Sequence, residues 1–169
     1  TAALLRSGRQ RLPKVRVHNG YGPTEATVDS TAWTLHPHEP VPEQAPPIGR
    51  AIANTRLYVL DQHDRSVPVG AVGQLHIGGV GVARGYLGLA QLQAQRFTAS
   101  PPAEGDRLYR TGDLVPYRAD GPPDSTRPHD LQLQLRGSRV ELVATHAYLA
   151  AHPAVAPALC LTRAEGPVA

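Results

Sequence analysis

The sequence predicts a mixed α+β fold, rich in short strands, with a break near residue 125. Three observations predict it. Seventeen prolines and sixteen glycines among 169 residues punctuate the chain closely, which suits short strands and many turns. Stretches such as Arg56–Asp61 and Leu131–Arg136 alternate apolar and polar residues with the period of a half-buried strand. Ala90–Phe97 and Val140–His152 instead carry helical spacing.

In chain order, Thr1–Gly8 reads as the tail of a helix ended by Gly8, and Val15–Val17 as a short strand feeding a Tyr-Gly-Pro turn. Thr27–Leu35, rich in threonine and carrying Trp33, predicts an extended strand. His36–Pro47 holds five prolines and must be a surface loop. Arg56–Asp61 is a strand, Asp64–Gly73 supplies turn chemistry, and Gln74–Gly78 is the next strand. Gly78–Gly88 is glycine-rich, but Tyr86 and Gly88 intervene before the helix at Ala90. A phosphate-cradling loop needs a helix N-terminus directly after it, so this stretch reads as a bend with close backbone packing. Ala119–His129 is polar and proline-rich, as an interdomain linker would be. Pro153 stops the last helix, and Ala154–Leu161 returns as a strand that Pro157 restricts to an edge or a bulge.

Composition narrows the function classes. Hydrophobic residues make 41% and aromatics 5%, so any core is built mainly from Leu, Val and Ala. No apolar run approaches the roughly 18–20 residues of a membrane span, and the first residues lack a signal-peptide pattern; a cytoplasmic protein is expected. The net charge of +3 rests on arginine and the single Lys14. The basic patch Arg6, Arg9, Arg11, Lys14 and Arg16 has no interleaved aromatics, so a solvated surface is expected rather than nucleic-acid binding. Cys160 is the sole cysteine, set in an apolar run, and reads as a buried structural thiol. His36 and His38 lack a second ligand pair and read as loop histidines.

Two segments carry chemistry. Val17–Glu25 reads Val-His-Asn-Gly-Tyr-Gly-Pro-Thr-Glu, and Tyr109–Leu114 reads Tyr-Arg-Thr-Gly-Asp-Leu, about ninety residues later. The first offers a ring to stack on a base, a hydroxyl for a phosphate and a carboxylate for Mg²⁺. The second sets another acid, Asp113, on a glycine turn before an apolar strand, and acids suit Mg²⁺ and ribose hydroxyls. Nucleotide handling is the leading expectation. Taken singly, Tyr21 and Trp33 would be core or surface aromatics, Thr24–Glu25 a helix-cap pair and Asp113 a turn acid.

With these residues in place, the chain resembles part of an amino-acid adenylation domain of a nonribosomal peptide synthetase, within the adenylate-forming superfamily. Five motifs stand in that family's order: Asn-Gly-Tyr-Gly-Pro-Thr-Glu (19–25), Pro-Ile-Gly-Arg-Ala-Ile-Ala-Asn-Thr (47–55), Gly-Gln-Leu-His-Ile-Gly-Gly-Val-Gly-Val-Ala-Arg-Gly-Tyr-Leu (73–87), Tyr-Arg-Thr-Gly-Asp-Leu (109–114) and Leu-Arg-Gly-Ser-Arg-Val-Glu-Leu (135–142). The resemblance implies that 1–129 is the C-terminal, β-rich portion of the large AMP-binding subdomain. Residues 130–169 would be the hinge and the start of the small α+β subdomain.

It further implies ATP and Mg²⁺ as cofactors, an amino acid as substrate, a carrier domain bearing phosphopantetheine as partner, and neighbouring synthetase domains, with no nucleic acid and no membrane. Tyr21 would stack on adenine, with Asn19 and the backbone of Gly20 at the base edge. Thr24 would contact phosphate, Glu25 would hold Mg²⁺ and Asp113 would bind both ribose hydroxyls. Gly20, Val28 and Asp29 would line the amino-acid pocket, Asp130 would be the hinge, and Gly137 would meet the pantetheine arm. The family's phosphate loop and catalytic lysine would lie before Thr1 and after Ala169, and Lys14 cannot replace that lysine. The 169 residues alone are therefore expected to be inactive. The chain departs from the pattern at Ser125, Arg127-Pro128, Gln134 and Val143-Ala144-Thr145-His146. Two other readings stay open: a non-catalytic remnant of the same fold that serves as an interaction module, and a fragment of an acyl-CoA ligase.

Overall fold

The computed structural model describes residues 2–99 and 107–118, together with the backbone at 127–128, 132–135, 138–141, 149, 161–163 and 166–168. The chain divides into two units, Thr1–Arg127 and Pro128–Ala169.

The first unit opens with helix α1 (Ala2–Arg11), which buries none of its residues. It runs through Gly8 rather than ending there, and Leu12 N–H still reaches the Gly8 carbonyl at 2.8 Å. A mid-helix glycine costs only about 1 kcal/mol, whereas Pro13 has no N–H to continue the ladder. Two arginines of the basic patch are not simply solvated. Arg6 donates to the Glu43 carbonyl, and Arg9 to the carbonyls of His36 and Pro37. They tie the proline-rich loop, which carries neither helix nor strand, back to α1.

Strand β1 (Val17–Tyr21) pairs antiparallel with β2 (Thr31–Leu35), and β2 with the two-residue β3 (Arg50–Ala51). The strand expected from Thr27 begins only at Thr31. Residues Thr24–Ala26 form a 3-10 turn, and Thr27 and Val28 follow with φ of 59° and 67°. That left-handed pair reverses the chain, and Ser30 N–H closes the hairpin on the Tyr21 carbonyl at 2.8 Å.

The second sheet is antiparallel with order β4-β5-β7-β6, formed by β4 (Thr55–Leu60), β5 (Val72–Gly79), β6 (Phe97–Ala99) and β7 (Arg107–Pro116). The short β8 (Arg127–Pro128) also pairs with β7. Helix α2 (Ala90–Arg96) leads straight into β6, so Phe97 starts a strand rather than ending a helix. Its ring explains why: it is buried against Tyr109 of β7, with centroids 5.3 Å apart. Ile48, Val59, Val67, Leu75 and Val115 form the main core, with Tyr21, Leu57 and Ala71 packed on it. Tyr21 thus brings the end of the first sheet onto the core of the second.

In the second unit β9 (Gln132–Leu135) pairs antiparallel with β10 (Ser138–Glu141), and β11 (Leu161–Arg163) with β12 (Gly166–Val168). Val140 stands opposite Leu133 in that ladder, so the helical spacing read from Val140 onward is overridden at its start by strand pairing. Residue 149 is helical. The remainder of the expected helix, Cys160, and most of the expected strand Ala154–Leu161 lie outside the described residues.

Candidate functional site

Asp113 does not sit on a turn before a strand; it stands inside β7, on a bulge. Gln74 pairs with Leu114 and His76 with Arg110, so Leu75 alone faces Thr111, Gly112 and Asp113. Two surplus residues need a backbone that kinks out of the ladder, and Gly112 supplies it with φ of 83°. The buried Thr111 hydroxyl bridges the two sides of the bulge. It donates to the Leu75 carbonyl at 2.8 Å and accepts the Asp113 N–H at 3.0 Å. A buried carbonyl left without that donor would cost about 1–3 kcal/mol, so Thr111 stabilises the bulge.

The bulge aims the Asp113 carboxylate at Tyr21, the last residue of β1. The Tyr21 hydroxyl donates to Asp113 Oδ2, joining the two chemistry-bearing segments across 92 residues of sequence. Burial, and next the Asp113 charge, push the Tyr21 phenol far above its ordinary value. Tyr21 therefore remains a donor at every physiological pH. Asn19, two residues before it on the same strand face, donates from Nδ2 to the Pro47 carbonyl at 2.7 Å. The buried Thr31 hydroxyl donates to the Ile48 carbonyl at 2.6 Å, so both bonds pin the Pro47–Ile48 segment beside β1 and β2.

Gly20 lies against Asp29. A Cβ at position 20 would stand 2.6 Å from Asp29 Oδ1, closer than side chains tolerate, so only glycine admits the carboxylate there. Val28, on the left-handed turn, is 72% exposed. Thr24 and Glu25 occupy the 3-10 turn between Tyr21 and Val28, with Thr24 exposed and Glu25 half-buried. Asp130 and Gly137 fall outside the described residues. The structure thus joins Tyr21 to Asp113 and Gly20 to Asp29, and sets Thr24–Glu25 on the turn between them.

Tyr86 joins the candidate site through Glu25, and sequence reasoning does not find it. Its hydroxyl donates to Glu25 Oε1 at 2.5 Å. The signal was present as an aromatic inside the third motif, but nothing in a linear sequence pairs it with a glutamate 61 residues earlier. A second cluster is equally invisible there: Arg110 binds Asp64 at 2.5 Å, and the fully buried His76 lies 3.8 Å from the same carboxylate.

As a donor set, the Thr24 hydroxyl and Glu25 carboxylate are hard oxygen ligands. Mg²⁺ keeps several waters and is commonly held by one or two carboxylates plus substrate phosphates, so these residues fit a shared Mg²⁺. Among the described residues there is no group of three His, Cys, Asp or Glu side chains that would hold a metal without a substrate.

The AMP-binding enzyme family model matches residues 1–87, just over half of the chain. The chain belongs to the AMP-binding enzyme family. This family member is 49% identical, over 93% of its length, to phosphinothricin tripeptide synthetase PhsB of Streptomyces viridochromogenes. It is 42% identical, over 96% of its length, to malpinin synthetase of Mortierella alpina. It spans only 13% and 2% of those two relatives. Its fold matches an NRPS protein containing adenylation and PCP domains, solved in its holo form with a vinylsulfonamide inhibitor. That match has a TM-score of 0.85 and 30% identity, covering 96% of this chain and 28% of the other. An artificially fused adenylation–PCP di-domain from Klebsiella oxytoca matches with a TM-score of 0.80 and 26% identity, over 99% of this chain and 31% of that one. Sequence and fold agree: this AMP-binding chain is part of an adenylation domain of the nonribosomal-peptide-synthetase kind. No helix among its described residues is long and apolar enough to cross a membrane.

Proposed function

We propose that the chain forms part of an ATP-dependent ligase that activates an amino acid as its adenylate and then loads it onto the phosphopantetheine thiol of a partner carrier domain. The Tyr21–Asp113 bond carries the reading, because it sets an aromatic face and an acceptor carboxylate side by side, as a nucleoside requires. In this reading Tyr21 stacks on adenine, its ring held by the hydroxyl bond, with Asn19 and the Gly20 backbone at the base edge. Asp113 accepts the two ribose hydroxyls; a carboxylate offers about four lone-pair directions, and Tyr21 takes one. Thr24 contacts phosphate. Glu25 holds Mg²⁺, which when bound neutralises phosphate charge.

Gly20, Val28 and Asp29 form part of the wall around the amino-acid side chain. The substrate carboxylate attacks the α-phosphorus, a new O–P bond forms, and pyrophosphate leaves with the electrons of the broken P–O bond. These residues act by position and charge rather than as nucleophiles. In the second unit, Asp130 serves as the hinge between adenylation and thioester formation, and Gly137 meets the pantetheine arm. The boundary between the large and small subdomains falls at 129/130, and the setting is the cytoplasm beside neighbouring synthetase domains.

The test is Asp113→Ala in the intact protein, measured by amino-acid-dependent pyrophosphate exchange. Each hydrogen bond to a charged acceptor is worth about 1.5–3 kcal/mol, so losing the ribose contacts should lower kcat/KM for ATP about 100-fold or more. An unchanged ATP dependence refutes the role of Asp113. Exchange driven by fatty or aryl acids, and by no amino acid, refutes the amino-acid assignment.

A further inference from the structure

Residues 81–86, which the sequence presents as a bend, lie along the Thr24–Ala26 turn and grip it at three points. Ala83 N–H donates to the Glu25 carbonyl at 2.8 Å. Thr27 Oγ1 donates to the Gly81 carbonyl at 2.7 Å. The third point is the Tyr86 hydroxyl on Glu25 Oε1. The Tyr86 ring is itself fixed, edge-on to Phe97 with centroids 5.3 Å apart, and Phe97 packs on the buried ring of Tyr109. The half-buried Glu25 carboxylate is thereby connected, through the Tyr86 hydroxyl, to the β6–β7 core.

Resting on the reading of Glu25 given above, we infer that Tyr86 is the positioning residue for the Glu25 carboxylate and sets the direction it presents to a divalent cation. A glutamate side chain gives up rotamer freedom when it is fixed, and a ligand held in advance does not lose it again on binding metal. Tyrosine suits the task because two side-chain torsions, both restrained by ring packing, set where its hydroxyl lies. Outer-shell partners of metal ligands characteristically govern affinity by about 10–100-fold.

The experiment uses the intact protein with a non-hydrolysable ATP analogue and Mn²⁺ as the spectroscopic stand-in for Mg²⁺. Protein-bound Mn²⁺ is titrated by electron paramagnetic resonance for the wild type, Tyr86→Phe, Glu25→Gln and the double variant, with melting temperatures measured alongside. Tyr86→Phe keeps the ring on Phe97 and removes only the hydroxyl. It should weaken Mn²⁺ about tenfold, and should weaken it no further in the Glu25→Gln background. If Glu25→Gln weakens Mn²⁺ but Tyr86→Phe does not, the inference fails and the metal role of Glu25 stands. Equal losses from Tyr86→Phe in both backgrounds mean general support of the fold and also overturn it. If Glu25→Gln leaves Mn²⁺ affinity unchanged, the metal role of Glu25 itself is wrong and the inference falls with it.

Discussion

Replacing Thr111 by valine tests whether a single hydroxyl holds the bulge that presents Asp113. Valine matches threonine in shape but lacks the oxygen, so the Leu75 carbonyl loses its 2.8 Å donor and Asp113 N–H its 3.0 Å acceptor. Thr111 is only 3% exposed and Leu75 is fully buried, so water does not readily replace either bond. An orphaned buried polar group costs about 1–3 kcal/mol, which puts the loss for the two at about 2–4 kcal/mol after partial relaxation. Against a typical stability of about 5–15 kcal/mol, that is a large fraction. Thr111→Ser is the control: it keeps the hydroxyl and removes one methyl, at about 1 kcal/mol. Urea unfolding, followed by fluorescence of the chain's single tryptophan Trp33 and extrapolated to zero denaturant, supplies both values. If the Thr111→Val variant proves as stable as the Thr111→Ser variant, the hydroxyl does not hold the bulge. Should Thr111→Val also leave ATP affinity at the wild-type level, the link from Leu75 to Asp113 is refuted altogether.

Gly20→Ala puts a methyl 2.6 Å from Asp29 Oδ1, so the carboxylate must swing away; the expected result is altered amino-acid preference in pyrophosphate exchange, with ATP KM changed less. An unchanged substrate profile would separate Asp29 from substrate selection. Burial pushes the His76 imidazole below the usual histidine range; its Nδ1 bond to the Gln74 carbonyl and nearby Asp64 oppose the shift, while Arg110 adds to it. The unfolded chain then takes up the proton first as pH falls below about 6.5, so this group removes stability on acidification and restores it as pH rises. The urea midpoint should drop between about pH 7.5 and about pH 5.5, and less so in His76→Gln. Asp61, held near a pKa of about 2 chiefly by the Arg65 N–H, titrates well below that window. A midpoint equally pH-dependent in both proteins would show that His76 is not the group responsible.

Strands β4 and β5 were legible because their cause is local. Arg56–Asp61 alternates in the strand manner, the turn residues of Asp64–Gly73 fence off Gln74–Gly78, and the observed strands shift by only a residue or two at their ends. Thr27–Leu35 was legible only from Thr31, because the left-handed Thr27 and Val28 have no sequence signature: neither is a residue that favours positive φ. The helix expected from Val140 is overridden at its first two residues for the opposite reason. Its apolar spacing suits a helix, but pairing with β9 decides the backbone of Ser138–Glu141, and pairing is not written in the spacing of one segment. Among the candidate site residues, Tyr21, Glu25 and Asp113 could be nominated from the sequence because rare polar and aromatic types stand close to glycines there.

By itself, then, the sequence determined the α+β character, the order of the five motifs and the residue types from which a nucleotide site can be assembled. These depend on local periodicity, turn chemistry and side-chain chemistry, all of which act over a few residues. Only the tertiary structure decided that Asp113 sits on a three-for-one bulge, that its carboxylate meets Tyr21, and that Tyr86 holds Glu25. Those contacts join residues 61 and 92 positions apart, and antiparallel register and core packing are what bring them together.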